Sequence, residues 1–264
     1  MTSTHLTVLG ARGSIPVSGP EFVRYGGNTS SFAVSVGGVA VAFVDAGTGL
    51  AAYRSFVNAL APSISLFLTH YHWDHIQGLS MLDEMWRGGC DVRIYGPDDP
   101  GEVLSAAIAP PLFPVAIGDA ASVAFHSMPA EVTVGGVRFI SFPLHHPQGS
   151  IGYRIDGPTR SIAIVTDHES GSPIDDAVAD AIAGVDVLVH DAQYIPAESA
   201  DHHGWGHSTC KDALDLAKRI GATDLVLTSH DPGRTDEGID EILLDIQDEF
   251  PGTRAADQGL RIDL

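Results

Sequence analysis

Cysteine is nearly missing from this chain: Cys90 and Cys210 are the only two in 264 residues, and no C-x-x-C pair occurs. That scarcity excludes a disulfide framework and a thiolate zinc site, and a reducing cytoplasm is the compartment it fits. Positive charge is scarce as well, with 14 Lys and Arg against 34 Asp and Glu and a formal charge of −20. Binding of long nucleic acid depends largely on Lys and Arg neutralising phosphates, so a polyanion is not the expected partner. Most of the acidity reads as solubility. No apolar run approaches bilayer length, and the opening MTSTHLTVLGARG shows no basic segment followed by an apolar one. Neither a membrane partner nor export is therefore expected. Repeats and low-complexity tracts are missing too.

What is present is enough apolar material for a large core, 44% hydrophobic against 18% charged, in a length that suits one domain over residues 1–264. Eleven runs read as strands: HLTVLG, SSFAVSV, VAVAFVD, ISLFLTH, DVRIYG, SVAFHSM, VRFISFPL, SIGYRID, SIAIVTD, DVLVHD and DLVLTSH. SSFAVSV and VAVAFVD across Gly37-Gly38, and SIGYRID and SIAIVTD across Gly157-Pro158, read as hairpins. Helical patterns cover about 50–60, 75–87, 101–108, 174–183, 209–220 and 236–249, the last opening on Thr235. Eleven strands exceed one ordinary sheet, so the expected class is α/β with two mixed sheets and helices outside. The stretch from Pro97 to Pro114 reads as a structured loop around a short helix, with a mobile lid as the alternative. The tail from Thr253 carries no clear signal.

The stretch FLTHYHWDHIQG, Phe67 to Gly78, puts His70, His72, Asp74 and His75 directly behind a strand. Thirteen histidines occur in the chain; at that frequency an H-x-H-x-D-H string arises by chance in roughly one sequence per several hundred. Chance is a poor explanation. Further polar residues close other strands: His145 and His146 after VRFISFPL, Asp167 after SIAIVT, and His230 after DLVLTS. Imidazole and carboxylate donors without thiolates suit zinc, iron or manganese in a catalytic site.

THYHWDH, HHPQGSIGY, TDH and TSHDP, in that order, resemble the successive metal motifs of the metallo-β-lactamase superfamily. The resemblance implies an αββα four-layer sandwich with two divalent ions at one sheet edge, Zn2+ first and Mn2+ or Fe2+ as alternatives. It implies one ion held by His70, His72 and His146, a second by Asp74, His75 and His230, and Asp167 bridging them. His146 is taken over His145 because in similar proteins the ligand precedes proline; His145 is then a neighbour, with the reverse assignment open. Two such ions would lower the pKa of an intervening water and polarise a substrate oxygen.

GWGHSTCKDALDLAKRIGATDLVLTSH, Gly204 to His230, is similar to the histidine motif of the phosphodiesterase branch, which includes ribonuclease Z and cyclic phosphodiesterases. By that resemblance His207 is a general acid that protonates a poor alkoxide leaving group, and Asp191 orients it from the place where ribonuclease Z carries glutamate. Asp74 is counted with these two among the catalytic residues. Ser208 or Thr209 with Asp212 also reads as a helix cap. Arg12 and Arg24 are placed either on phosphate or on the surface, His168 in a pocket wall, and His202 and His203 at an entrance or in solvent. His5, His126 and His190 read as structural or surface residues, and Asp45 as a supporting carboxylate. The long tRNA-gripping arm of bacterial ribonuclease Z has no room between His146 and Asp167. The expected activity is hydrolysis of a small phosphodiester, a 3′,5′-cyclic nucleotide or a phosphoribosyl cyclic phosphate, by a cytoplasmic protein that similar chains imply to be a homodimer. The alternatives are a lactonase or β-lactamase-like hydrolase, a tRNA 3′ processing endonuclease, and redox or sensor roles.

Overall fold

The computed structural model describes residues 3–264. Its strands are β1 (Thr4–Gly10), β2 (Ser31–Val36), β3 (Val39–Val44), β4 (Ala59–Phe67), β5 (Asp91–Gly96), β6 (Val123–Ser127), β7 (Glu131–Val134), β8 (Val137–Leu144), β9 (Ser150–Asp156), β10 (Ser161–Val165), β11 (Val187–Asp191), β12 (Asp224–Thr228), β13 (Thr253–Ala255) and β14 (Arg261–Asp263). The helices are α1 (Thr48–Ala51), α2 (Trp73–Ile76), α3 (Asp83–Arg87), α4 (Pro100–Ala107), α5 (Asp175–Ala181), α6 (Cys210–Ile220) and α7 (Asp236–Glu249). One sheet runs β14-β1-β2-β3-β4-β5-β6 and the other β13-β12-β11-β10-β9-β8-β7. Both are mixed: β3 to β6 pair in parallel, as do β10 to β13, while the hairpins β2/β3 and β9/β10 are antiparallel.

The layers follow from which faces are apolar. Phe32, Phe67, Phe139, Tyr153 and Ile164 fill the space between the sheets, with the Phe67 and Phe139 rings stacked at 4.3 Å. The outer face of the first sheet is covered by Leu50, Leu79, Met85 and Leu104, and that of the second by Val178, Ala213, Leu214 and Ile246. Strands buried on both faces read as unbroken apolar runs, as VAVAFV and SIAIV do. This is the αββα sandwich expected from the sequence.

The differences are local. Residues 50–60 are not one helix: α1 and a 3-10 turn at Tyr53–Ser55 end early, and β4 begins at Ala59. Pro62 lies in β4 where its register with β3 slips between Ala40 and Ala42, so its missing N–H costs no regular ladder bond. The helical stretch 75–87 is broken into α2, a 3-10 segment and α3. It breaks where Gly78 passes so close to Gly47 that a Cβ there would lie 2.0 Å from the Gly47 carbonyl oxygen. Three strands carried too little pattern to be read: β7, and the three-residue β13 and β14, which place the C-terminal tail along both sheets. Residues 97–114 contain α4, as the reading of a short helix within a structured loop expects, with Leu104 and Ile108 in the core. Among the described residues no helix is long and apolar enough to cross a membrane.

Candidate metal centre

The ends of β3, β4, β8, β10 and β11 converge on one edge of the sandwich, and the polar residues there are buried. Two donor groups form. His70, His72, His146 and Asp167 place one ligand atom each within 4.8 Å of one another, and so do Asp74, His75 and Asp167. Asp167, Asp191 and His207 likewise bring one ligand atom each within 4.8 Å of one another.

The outer partner of each ring decides which nitrogen faces inward. His146 Nδ1 donates to the Gly206 carbonyl at 2.8 Å and His72 Nε2 to Gln148 Oε1 at 3.1 Å, which leaves His146 Nε2 and His72 Nδ1 facing each other at 3.1 Å. With both rings neutral, two lone pairs meet there. His75 Nδ1 is held by Asp45 Oδ2 at 2.7 Å, and its Nε2 lies 3.3 Å from both Asp74 Oδ2 and Asp167 Oδ1. His70 Nε2, His75 Nε2 and Asp167 Oδ1 are buried without a hydrogen-bond partner. Buried polar atoms are rarely left so, and a shared divalent cation is the species that satisfies lone pairs turned on one another. Donor chemistry and geometry therefore fit metal ions.

The electrostatics agree. Burial, with the neighbouring His75 charge, lowers the His70 pKa well below its ordinary value, and burial lowers that of His146, so both rings stand ready as neutral donors. Burial also opposes charge on His75, but Asp167, Asp45 and Asp74 outweigh it and raise its pKa well above normal. The same three carboxylates that favour positive charge on His75 would favour a bound cation beside it. Asp45 is fully buried, with Thr69 N and Oγ1 donating to its Oδ1 at 2.9 Å each, so it is pinned as it orients His75.

His207 sits beside this cluster. Its Nδ1 lies 2.6 Å from Asp191 Oδ2, and the side chain is 8% exposed. Asp191 is itself fixed by the backbone N–H of Gln193 at 3.0 Å. Burial works against the imidazolium, yet Asp191, Asp167 and Asp74 raise the His207 pKa to about 9. His207 borders a cleft of about 440 Å³ together with Asp74, His146, Asp167, Trp73 and Trp205. A neighbouring cavity of about 430 Å³, with Tyr194, His202 and Glu169 in its wall, also reaches His207. Thr209 caps α6 in a full capping box with Asp212.

The structure brings His70, His72, Asp74, His75, His146, Asp167, Asp191 and His207 together. It does not bring in His230, which corrects the sequence reading. His230 Nε2 donates to the Ala256 carbonyl at 2.9 Å, its ring meets Tyr25 edge-on, and burial lowers its pKa to about 4. The physical reason is the turn at the tip: β12 ends at Thr228, Ser229 is left-handed with φ 56, and the backbone it redirects sets His230 against Ala256. Arg12 is a second correction. It is fully buried, donates to the carbonyls of Gly26, Asp231 and Arg234, and ties loops together rather than facing the cleft. Arg24, 52% exposed, pairs with Asp240 at 2.6 Å, away from the donor atoms. His145 is exposed, and its backbone N–H donates to His168 Nδ1. His168 lies in the wall of another pocket, with Asp175. His190 is buried against its own strand, with Nδ1 on the Asp191 carbonyl.

Sequence reasoning missed Glu169. Its two carboxylate oxygens accept from Gly204 N at 2.8 Å and Gly206 N at 2.9 Å, so it holds the loop whose Gly206 carbonyl orients His146. Position next to Asp167 and His168 was its only signal. Gln148, on His72, was missed likewise.

The family described as beta-lactamase superfamily domain matches residues 42–230. Ribonuclease BN of Escherichia coli is 25% identical over 248 residues, 72% of this chain and 78% of that protein. The metallo-beta-lactamase fold protein YhfI from Bacillus subtilis aligns over the whole of both chains with a TM-score of 0.77 at 17% identity. A diphosphatase from the PhnP family aligns with a TM-score of 0.71 at 24% identity, over 99% of this chain and 98% of that one.

Proposed function

The chain belongs to the metallo-β-lactamase superfamily, its fold and relatives are those of a metal-dependent hydrolase, and from that premise we propose that it cuts a small phosphodiester, with His207 as the acid. The observation that carries this reading is the His207–Asp191 pair at the edge of the donor cluster. Two divalent ions, zinc first, held by His70, His72, His146 and Asp167 and by Asp74, His75 and Asp167, would supply Lewis acidity and make water more acidic. What the chain itself adds is a proton at the right place. Asp191 takes the Nδ1 side of His207, so the other ring nitrogen is left to face the cleft and to protonate the departing oxygen. A sugar alkoxide is a poor leaving group and needs that proton. A lactam or thioester has less need of it.

The cleft supports a reading of the substrate's kind. Two tryptophans, Trp73 at 57% exposure and Trp205 at 61%, stand in its wall. Leaving over half of an indole in water forgoes about 2–3 kcal/mol of burial per ring. Single exposed rings are ordinary, but two in one small cleft beside a donor cluster make a stacking surface for a planar base. That favours a 3′,5′-cyclic nucleotide over a phosphoribosyl cyclic phosphate. The net charge of −20 speaks against a long RNA.

The test is a substrate panel on zinc- or manganese-loaded protein: cyclic nucleotides, phosphoribosyl cyclic phosphate, bis-p-nitrophenyl phosphate, a tRNA precursor, a lactone and nitrocefin. Turnover of cyclic nucleotides above the rest is expected. Turnover of the lactone or nitrocefin with every phosphodiester left intact would remove the proposal.

A further inference from the structure

We propose that the two halves of the centre bind cations unequally. The His70 half is closed by four protein donors, whereas the Asp74 half lacks a fourth and takes an exchangeable ion completed by solvent or a substrate oxygen. The proposal rests on the centre binding cations and not on the phosphodiester reading.

The donor count carries it. His70, His72, His146 and Asp167 make one complete tetrad, while Asp74, His75 and Asp167 make only three. Four protein donors are the pattern of a held ion, and three with an open place are the pattern of a reacting one. Asp74 borders the cleft, as His72, His146 and Asp167 of the other half do, so an open place beside Asp74 is within reach of whatever the cleft holds.

The residue expected to fill that place is turned away by the chain's own geometry. Thr166-Asp167-His168 and Thr228-Ser229-His230 close β10 and β12 on either side of β11. Val165 pairs with His190, which pairs with Leu227, so the two tripeptides are level across the sheet. Asp167 has φ 57 and Ser229 has φ 56. At the first tip the middle residue enters the cluster while His168 turns back to accept from the His145 N–H. At the second, His230 likewise turns back, to the Ala256 carbonyl. The inward position at the end of β12 is therefore Ser229, and for His230 to swing in would leave a buried carbonyl unpaired and oblige the left-handed tip to rebuild.

Equilibrium dialysis of the full chain against buffered Zn2+, with ions counted per chain, tests this without reference to turnover. Two steps are expected, the second weaker by more than the ~10- to 100-fold that losing one outer partner costs. His230→Gln keeps a donor for Ala256 and should leave both steps unchanged. Ser229→Asp, which restores a carboxylate where Asp167 has one, should tighten only the second step, and inorganic phosphate should do the same in the wild-type protein. Two ions of equal affinity, or loss of one ion in His230→Gln, would overturn the proposal. If His230→Gln does not fold, the wild-type titration decides alone. Uptake of no ion whatever would instead defeat the metal reading of the whole centre.

Discussion

The two sheets furnish the centre in different ways. The first sends one loop: His70, His72, Asp74 and His75 lie within six residues behind β4, and Asp45 at the neighbouring tip of β3 is bonded to both Thr69 and His75. The second sends single residues from separate places, and two of them, His146 and His207, are held by partners distant in the chain. His146 leans on the Gly206 carbonyl, Gly206 on Glu169, and His207 on Asp191. A donor set on one short loop is positioned by local backbone geometry. A set gathered tip by tip is only as well placed as its long-range hydrogen bonds, so single substitutions there should separate ion binding from proton transfer.

The largest effect should come where the two contributions meet. Asp167 has Oδ2 within 3.6 Å of His70 and 3.5 Å of His146, and Oδ1 within 3.3 Å of His75. Asp167→Ala should deplete both halves of metal and cut turnover by roughly 1000-fold or more, the several kcal/mol that a Lewis-acid ion contributes. Elemental analysis checks it, and two retained ions would mean that the halves do not share this carboxylate. His207→Ala should act on the second sheet's chemistry alone. Metal content should stay, and cyclic nucleotides should slow by about 10²- to 10⁴-fold while bis-p-nitrophenyl phosphate slows far less. Equal losses on both substrates would deny His207 the acid's part.

Glu169→Ala sharpens the contrast further, because Glu169 touches no donor atom and acts through Gly204 and Gly206. Metal affinity should fall by about 10- to 100-fold, as for other outer partners of a metal-binding ring, and saturating metal should restore kcat. Glu169→Gln, which can still accept one amide hydrogen, should lose less. Unchanged affinity in Glu169→Ala would show that the Gly206 carbonyl is fixed by other contacts.

The same contrast explains what could be read from the residues. The first sheet's loop is visible as a string because its geometry is local, and so are the hairpins turned at Gly37-Gly38 and Gly157-Pro158 and the Thr209–Asp212 cap. Glu169 could not be seen in that way, since its partners lie 35 and 37 residues away. His230 was misread because a histidine was counted where direction mattered. The parallel between Thr166-Asp167-His168 and Thr228-Ser229-His230 was present in the letters, but the left-handed φ shared by both middle residues is visible only in the folded chain.

The smallest and most diagnostic effect belongs to Asp191→Asn. His207 must carry its proton to serve as an acid, and its pKa stands near 9 because Asp191, Asp167 and Asp74 outweigh burial. Cations in the donor cluster would offset the last two carboxylates, which leaves Asp191 as the main support in loaded protein. A raised histidine pKa keeps the charged form below the shifted value and loses it as pH rises through that value. The wild-type alkaline fall of kcat/KM should therefore lie towards pH 9, and in Asp191→Asn it should move down to the ordinary 6.5 or lower, where burial is no longer opposed. With the variant's value near 6.5 the two proteins should differ little at pH 6, whereas at pH 8 the variant should be roughly 30-fold slower, the fraction of imidazolium left at that pKa. Metal content should not change. An alkaline fall that stays in place in the variant would mean that the proton being lost belongs to something other than His207, and the second sheet would then contribute donors without contributing an acid.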